Sequence, residues 1–284
     1  MKLGKFTINL LDTGIFGLDG GPMFGVVPKN LWSKIYHPGD EMNRIPLSAR
    51  PMLVRWDNRV VLVDTGNGTK LSEKITKIYG IDKEKSSMAN ALAPFSLTEN
   101  DITDVILTHL HFDHAGGGTI IVDGELAPTF PNAKYYVQKT QYEWALKPSE
   151  KDRASYMPEN YLPLMNSGQL EIIDGEGELF KGIGLMLSHG HTNGMQMVKI
   201  NDGGDTLLYL ADLCPTSAHL PVPYVMGYDN QPMITMEEKR RVNHSAFEEN
   251  WILCYEHDAF KEASRIIMSE KGFSAGESIL INNE

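Results

Sequence analysis

Phe6-Thr7-Ile8-Asn9-Leu10 alternates apolar and polar positions with the period of a half-buried strand. Two further apolar runs, Met52-Leu53-Val54-Arg55-Trp56 and Val60-Val61-Leu62-Val63, flank Asp57-Asn58, which accept the left-handed angles of a tight hairpin turn. Between the first strand and this hairpin, residues 14–51 are dense in Gly and Pro. Phe16, Met23, Phe24, Trp32 and Tyr36 are scattered through them at no clear period. So long an irregular stretch reads as functional or interfacial rather than as a plain connection.

Residues 71–79 follow a helical pattern that Gly80 stops, and residues 87–93 follow another. Thr98-Glu99-Asn100-Asp101 makes a polar entry to an apolar strand at 105–107. Strands are expected at 120–122, 133–138, 170–173, 183–187, 196–200 and 206–210, with a short helix at 140–146. Asn201-Asp202-Gly203-Gly204-Asp205 is a strong turn signal between the last two strands. Thr235 with Glu238 predicts a capping box opening a helix that runs to Glu248. A strand at 251–255 and a final helix at 259–270 complete the pattern. Helices and strands mix throughout, which predicts layered sheets covered by helices in a single domain over residues 1–284.

The composition, 42% hydrophobic and 22% charged, is that of a folded globular chain. A net charge of −11 weighs against binding a nucleic-acid backbone, which calls for clustered Lys and Arg. The one basic cluster, Lys239-Arg240-Arg241, follows Glu237-Glu238 and reads as a mixed, solvated helix face. No apolar run reaches the length of a membrane span, and the N-terminus lacks the pattern of a secretory signal. Two cysteines, Cys214 and Cys254, are too few and too separated for a disulfide scaffold, so a cytoplasmic location is expected. Both read as small buried hydrophobes at strand ends.

The chemistry is concentrated in Thr108-His109-Leu110-His111-Phe112-Asp113-His114-Ala115-Gly116-Gly117, directly after the strand at 105–107. In an extended segment His109 and His111 point to the same side. If the chain then turns into a helix, Asp113 and His114 face a second point nearby. Imidazole nitrogen with carboxylate oxygen is a donor set suited to zinc and to Mn, Fe or Co. Three more candidates follow, each where a strand runs out: His191 in Ser188-His189-Gly190-His191, Asp212 in Tyr209-Leu210-Ala211-Asp212, and His257 in Tyr255-Glu256-His257-Asp258. Strand ends along one sheet edge converge on a common site. His189 reads as a supporting residue, and His37, His219 and His244 as surface or packing residues.

The H-x-H-x-D-H pattern followed by His, Asp and His resembles that of the metallo-β-lactamase superfamily of hydrolases. The resemblance runs from Asp64-Thr65-Gly66 to His257 and implies an α+β fold, a four-layer αββα sandwich with two divalent metal ions at one edge of its sheets. By position it implies that His109, His111 and His191 hold the first ion, that Asp113, His114 and His257 hold the second, and that Asp212 bridges them. Zinc is the expected metal. Asp113 would also relay a proton to the leaving oxygen.

Within the superfamily, the stretch from Leu18 to Lys29 with Leu31-Trp32, and the run Ala211-Asp212-Leu213-Cys214-Pro215-Thr216, resemble quorum-quenching lactonases that open N-acyl-homoserine lactones. A related N-terminal arrangement occurs in methyl parathion hydrolase-like enzymes. The best-known lactonases of this kind carry a Tyr three residues after the bridging Asp, where this chain has Pro215. The expected activity is hydrolysis of a lactone ester bond. The alternatives are a phosphotriester, an aryl ester or a glyoxalase-type thioester at the same site, and, as a different class, a metal-binding protein without turnover. Met23 and Phe24 are candidates for an apolar acyl pocket. The expected partners are a small-molecule ester or lactone and a second copy of the chain in a homodimer, with Phe16, Phe24 and Trp32 as the apolar face.

Overall fold

The computed structural model describes residues 1–282. Its centre is a pair of seven-stranded sheets. The first takes its strands in chain order from Lys2–Leu3, Phe6–Leu10, Met52–Trp56, Arg59–Val63, Asp104–Ile106, Lys134–Gln138 and Leu170–Ile173. The second follows, again in chain order, from Gly177–Phe180, Ile183–Ser188, Met195–Asn201, Thr206–Tyr209, Ile252–Cys254, Ala263–Ser269 and Gly272–Ile279.

Side-chain alternation sorts the core into layers. Phe6, Ile8, Met52, Val54 and Ile106 of the first sheet meet Val198, Ile200, Leu207, Tyr209 and Ile252 of the second. On the opposite face of the first sheet, Leu53, Leu62 and Val105 pack under helical residues that include Ala91, Leu92, Ala145 and Leu164. On the outer face of the second, Met197, Leu208 and Leu253 pack against Val242 and Ala246 of the helix Pro232–Glu248. The layers are therefore helix, sheet, sheet, helix, as the resemblance implied. Central strands such as Thr206–Tyr209 are buried on both faces, which is why they read as continuous apolar runs.

Three expectations are corrected. The final helix expected at 259–270 is the strand Ala263–Ser269, paired antiparallel with Ile252–Cys254 and with Gly272–Ile279. The helix expected to open at Thr235 begins at Pro232, a residue suited to a first helical turn because it has no N–H to leave unpaired. Residues 14–51 hold regular elements: Ile15–Asp19 pairs with Arg44–Ser48, and two short helices, Gly20–Phe24 and Lys29–Trp32, lie between them.

Phe16, Phe24 and Trp32 are buried within the chain, in a cluster with Met23, Ile45, Leu47 and Phe112, and so present no face to a partner. The exposed apolar side chains of this stretch are Ile15, Val26, Leu31, Ile35 and Met42. Among the described residues no helix is long and apolar enough to cross a membrane.

Candidate metal centre

Each candidate ligand leaves the end of a strand. Asp104–Ile106 leads into a loop held to the second sheet, where the Gln196 amide N–H bonds the Thr108 carbonyl at 2.9 Å and its side chain bonds the Leu107 carbonyl at 2.8 Å. The loop carries His109 and His111, and His111 opens the short helix Phe112–Ala115 that turns Asp113 and His114 inward. Gly116 and Gly117 come next because the chain presses there against the carbonyls of Asn67 and Thr65, leaving no room for a Cβ.

His191 stands on the loop after Ile183–Ser188. Glu238 of the long helix fastens that loop, accepting from the Ser188 hydroxyl at 2.7 Å, the His189 amide at 2.7 Å and the Gly190 amide at 3.2 Å. Glu238 thus serves the site rather than a capping box. Asp212 follows Thr206–Tyr209 and His257 follows Ile252–Cys254.

The seven side chains come together in two groups, His109, His111, His191 and Asp212 in one, Asp113, His114 and His257 in the other; within each, one ligand atom per residue lies within 4.8 Å of the rest. All seven are buried. His111 Nδ1 faces His109 Nε2 at 3.0 Å and His191 Nε2 at 3.1 Å, and His257 Nε2 faces His114 Nε2 at 3.1 Å. Asp212 lies between the groups, with Oδ2 3.1 Å from His191 Nε2 and Oδ1 3.2 Å from His257 Nε2. Asp113 is looser, with Oδ2 3.7 Å from His257 Nε2 and Oδ1 4.0 Å from His114 Nε2.

The outward nitrogens are held by residues that the motif does not contain. His191 Nδ1 is 2.9 Å from Asp229 Oδ1, His257 Nδ1 is 2.7 Å from the Ser48 carbonyl, and His114 Nδ1 is 3.0 Å from Asp64 Oδ2. An N–H donated outward leaves a lone pair on the inward nitrogen. Lone pairs about 3 Å apart repel unless a cation lies between them, and zinc–nitrogen bonds of about 2.0–2.1 Å in a tetrahedron set their ends about 3.3 Å apart. The arrangement therefore fits a divalent ion in each group.

The electrostatics agree. Burial, together with the neighbouring His114, His111 and His191, holds His109 well below the usual imidazole range. Burial also works to raise Asp212, but His191, His257 and His114 hold it well below the usual carboxylate range. Asp212 Oδ1 is buried without a hydrogen bond among the described residues, as expected for an atom reserved for an ion. Asp64 and Ala211, both at strand ends beside the candidate ligands, hold left-handed backbone angles with φ of 59° and 46°. Strain at such positions is concentrated where a site must be aimed.

A cavity of about 170 Å³ opens over this cluster. His111, Asp113, His191, Asp212 and His257 form its floor, while Leu18, Met23, Leu47, Phe112 and Met226 are among its apolar wall. Met23 lines the cavity. Phe24 does not: it is fully buried behind the wall, between Trp32 and His219. Cys214 and Cys254 are buried free thiols packed in the core and belong to neither group. The residues that sequence reasoning missed are Asp229, Glu238 and Glu256. No local spacing signals them, since each reaches the site through tertiary contact.

Residues 45–257 match the model of the metallo-beta-lactamase superfamily, and the chain belongs to that superfamily. It is a metal-dependent hydrolase. An N-acyl homoserine lactonase of Bacillus thuringiensis subsp. kurstaki is 29% identical over 233 residues, covering 77% of this chain and 84% of that one. The crystal structure of a probable metal-dependent hydrolase from Staphylococcus aureus superposes with a TM-score of 0.89 at 33% identity, covering 99% and 98% of the two chains. AidC, a dizinc quorum-quenching lactonase solved with a product, shares the fold with a TM-score of 0.82 at 19% identity over 99% and 97%.

Proposed function

We propose that this chain opens the ester bond of a lactone, with N-acyl-homoserine lactones as its substrates, using two divalent ions, zinc by preference. The observation that carries the reading is the cavity itself: one floor of converging metal donors under one apolar wall. The lactonase relative from Bacillus thuringiensis supports the choice of substrate.

His109, His111 and His191 would hold one ion and Asp113, His114 and His257 the other, with Asp212 between the two groups. Bound there, the ions supply Lewis-acid polarisation of the scissile carbonyl and a water acidified towards neutral pH. The chain's own residues do the remainder. Asp113 lines the cavity floor, and the carboxylate oxygen it does not turn to the ion would take a proton and return it to the leaving alkoxide. Met23, Leu18 and Met226 take the acyl chain and exclude water from it.

Pro215 has no hydroxyl to offer, and its carbonyl accepts the His257 amide at 3.0 Å. Tyr228 and Tyr79 line the same cavity and are the phenols available to a substrate carbonyl. Burial raises both above the usual phenol range, Tyr228 to about 12, so they remain donors at neutral pH.

The test is turnover of N-acyl-homoserine lactones, aryl esters and phosphotriesters by protein whose metal content is measured alongside. Lactone opening with the highest kcat/KM is expected. Turnover of phosphotriesters without lactones would replace the substrate and leave the metal centre standing.

A further inference from the structure

His114 uses both ring nitrogens, one towards the metal donors and one away. Its Nε2 faces His257 Nε2 at 3.1 Å and Asp212 Oδ2 at 3.6 Å. Its Nδ1 lies 3.0 Å from Asp64 Oδ2 and equally 3.0 Å from Glu256 Oε2. A neutral imidazole with its lone pair at Nε2 has a single N–H to share between those two carboxylates.

The carboxylates are not equivalent. Asp64 also accepts from the Thr108 amide at 2.7 Å and from the Thr108 hydroxyl at 2.6 Å. Glu256 is fully buried, and among the described residues neither of its oxygens has a well-directed hydrogen bond. A buried carboxylate that must share one imidazole N–H with a second carboxylate is costly to keep in a folded chain. The other metal group is backed differently: His191 leans on Asp229 at 2.9 Å, and His109 on the Thr108 hydroxyl at 3.1 Å. Two carboxylates therefore share one imidazole N–H on one side of the centre, behind His114.

We propose that Glu256 is a positioning residue for the ion held by Asp113, His114 and His257. Its buried carboxylate is stabilised when a divalent ion binds at His114 Nε2, and this makes that group the tighter of the two. The inference rests on the dinuclear reading above and goes beyond it, because it sets an order of filling and assigns the cause to one residue outside the ligand set.

The experiment uses chelator-treated full-length protein at about pH 8, titrated with Zn²⁺ or Co²⁺, with bound ions counted by mass spectrometry and thermal unfolding followed in parallel. In Glu256→Gln the tighter binding step should weaken by about 10–100-fold, the range found for residues that support ligands from outside the first layer. The gain in Tm on adding zinc should be smaller in the variant than in the wild type. A residue that merely fills space would lower the Tm of metal-free and zinc-loaded protein alike and leave that gain unchanged.

Equal binding midpoints in wild type and Glu256→Gln, or an unchanged gain in Tm on adding zinc, would overturn the proposal. If Glu256→Gln does not fold, Glu256→Met is read against the same criteria. A wild type that binds no ion would instead overturn the dinuclear reading itself.

Discussion

The Phe24 ring lies parallel to the His219 imidazole, with 4.6 Å between centroids and 8° between planes. Trp32 covers its other face at 5.0 Å, again at 8°. His219 is fixed in turn, donating from Nε2 to the Met23 carbonyl at 2.8 Å and receiving the Thr216 hydroxyl at Nδ1 at 2.7 Å. Burial pushes this imidazole down to about 3, so it stays neutral and stacks as an aromatic ring. Phe24 is thus the middle layer of a stack that supports the cavity wall from behind.

Phe24→Ala should destabilise the chain by about 3–5 kcal/mol, the usual cost of emptying a buried aromatic site. Long-chain and short-chain substrates should then lose turnover together. Urea unfolding measures the first effect, and the ratio of kcat/KM for decanoyl and butanoyl lactones measures the second. A stable variant with altered chain-length selectivity would return Phe24 to the pocket.

Asp212 and Asp229 should separate in their effects on metal content. Asp212 offers an oxygen to each group, so Asp212→Ala should lose both ions and essentially all turnover. Of the seven candidate ligands Asp229 touches only His191, and Asp229→Ala should weaken one ion by about 10–100-fold and spare the other. Ions counted after dialysis decide the matter. One ion retained by Asp212→Ala, or none by Asp229→Ala, would contradict the assignment.

Metal-free protein should lose stability as pH rises above neutrality. Burial works against the charged form of His257, but Asp212 and Glu256 outweigh it and raise the imidazole to about 9. Burial is likewise outweighed at His114, which Glu256, Asp212 and Asp113 raise well above the usual range. A raised folded-state value means the native chain keeps protons that the unfolded chain, with imidazoles near about 6.5, has released. That stability is whole below about pH 6.5 and is lost as pH climbs through about 9. Ligation requires deprotonated imidazoles, so the ion-loaded protein should lack this fall. Thermal unfolding between pH 6.5 and 9, with and without chelator, compares the two. A flat metal-free profile would exclude the effect.

The strands that read clearly are those whose two faces differ, as in Phe6–Leu10, or which are buried on both, as in Thr206–Tyr209. Ala263–Ser269 read as helix because Ala263, Ser264 and Ile266 are buried while Ile267 and Met268 are exposed, a pattern without alternation. Its pairing on both sides, a tertiary fact, makes it a strand. The candidate ligands were legible because four of them share one short segment and the rest end strands. Asp229 and Glu256 were not, because a carboxylate that supports a histidine is identified by where folding brings it. Glu238 shows the same limit: its spacing from Thr235 satisfied a local rule, yet its carboxylate binds the loop before His191.

Selectivity for chain length is the sharpest consequence of the cavity wall. Leu18, Met23, Leu47, Phe112 and Met226 are apolar, and the cavity they share with the metal donors holds about 170 Å³. Each acyl methylene buried there contributes up to ~0.8 kcal/mol, so kcat/KM should rise by up to roughly fourfold per carbon until the space is full. Butanoyl, hexanoyl, octanoyl and decanoyl homoserine lactones sample the rise and the plateau. Met226→Ala lengthens the space without touching a ligand and should move the plateau to longer chains, while a small aryl ester, which needs only the metal centre, keeps its rate. The metal content of this variant should match the wild type. A plateau that stays in place, or an aryl ester that falls with the lactones, would show that Met226 supports the metal centre and that the acyl chain lies elsewhere.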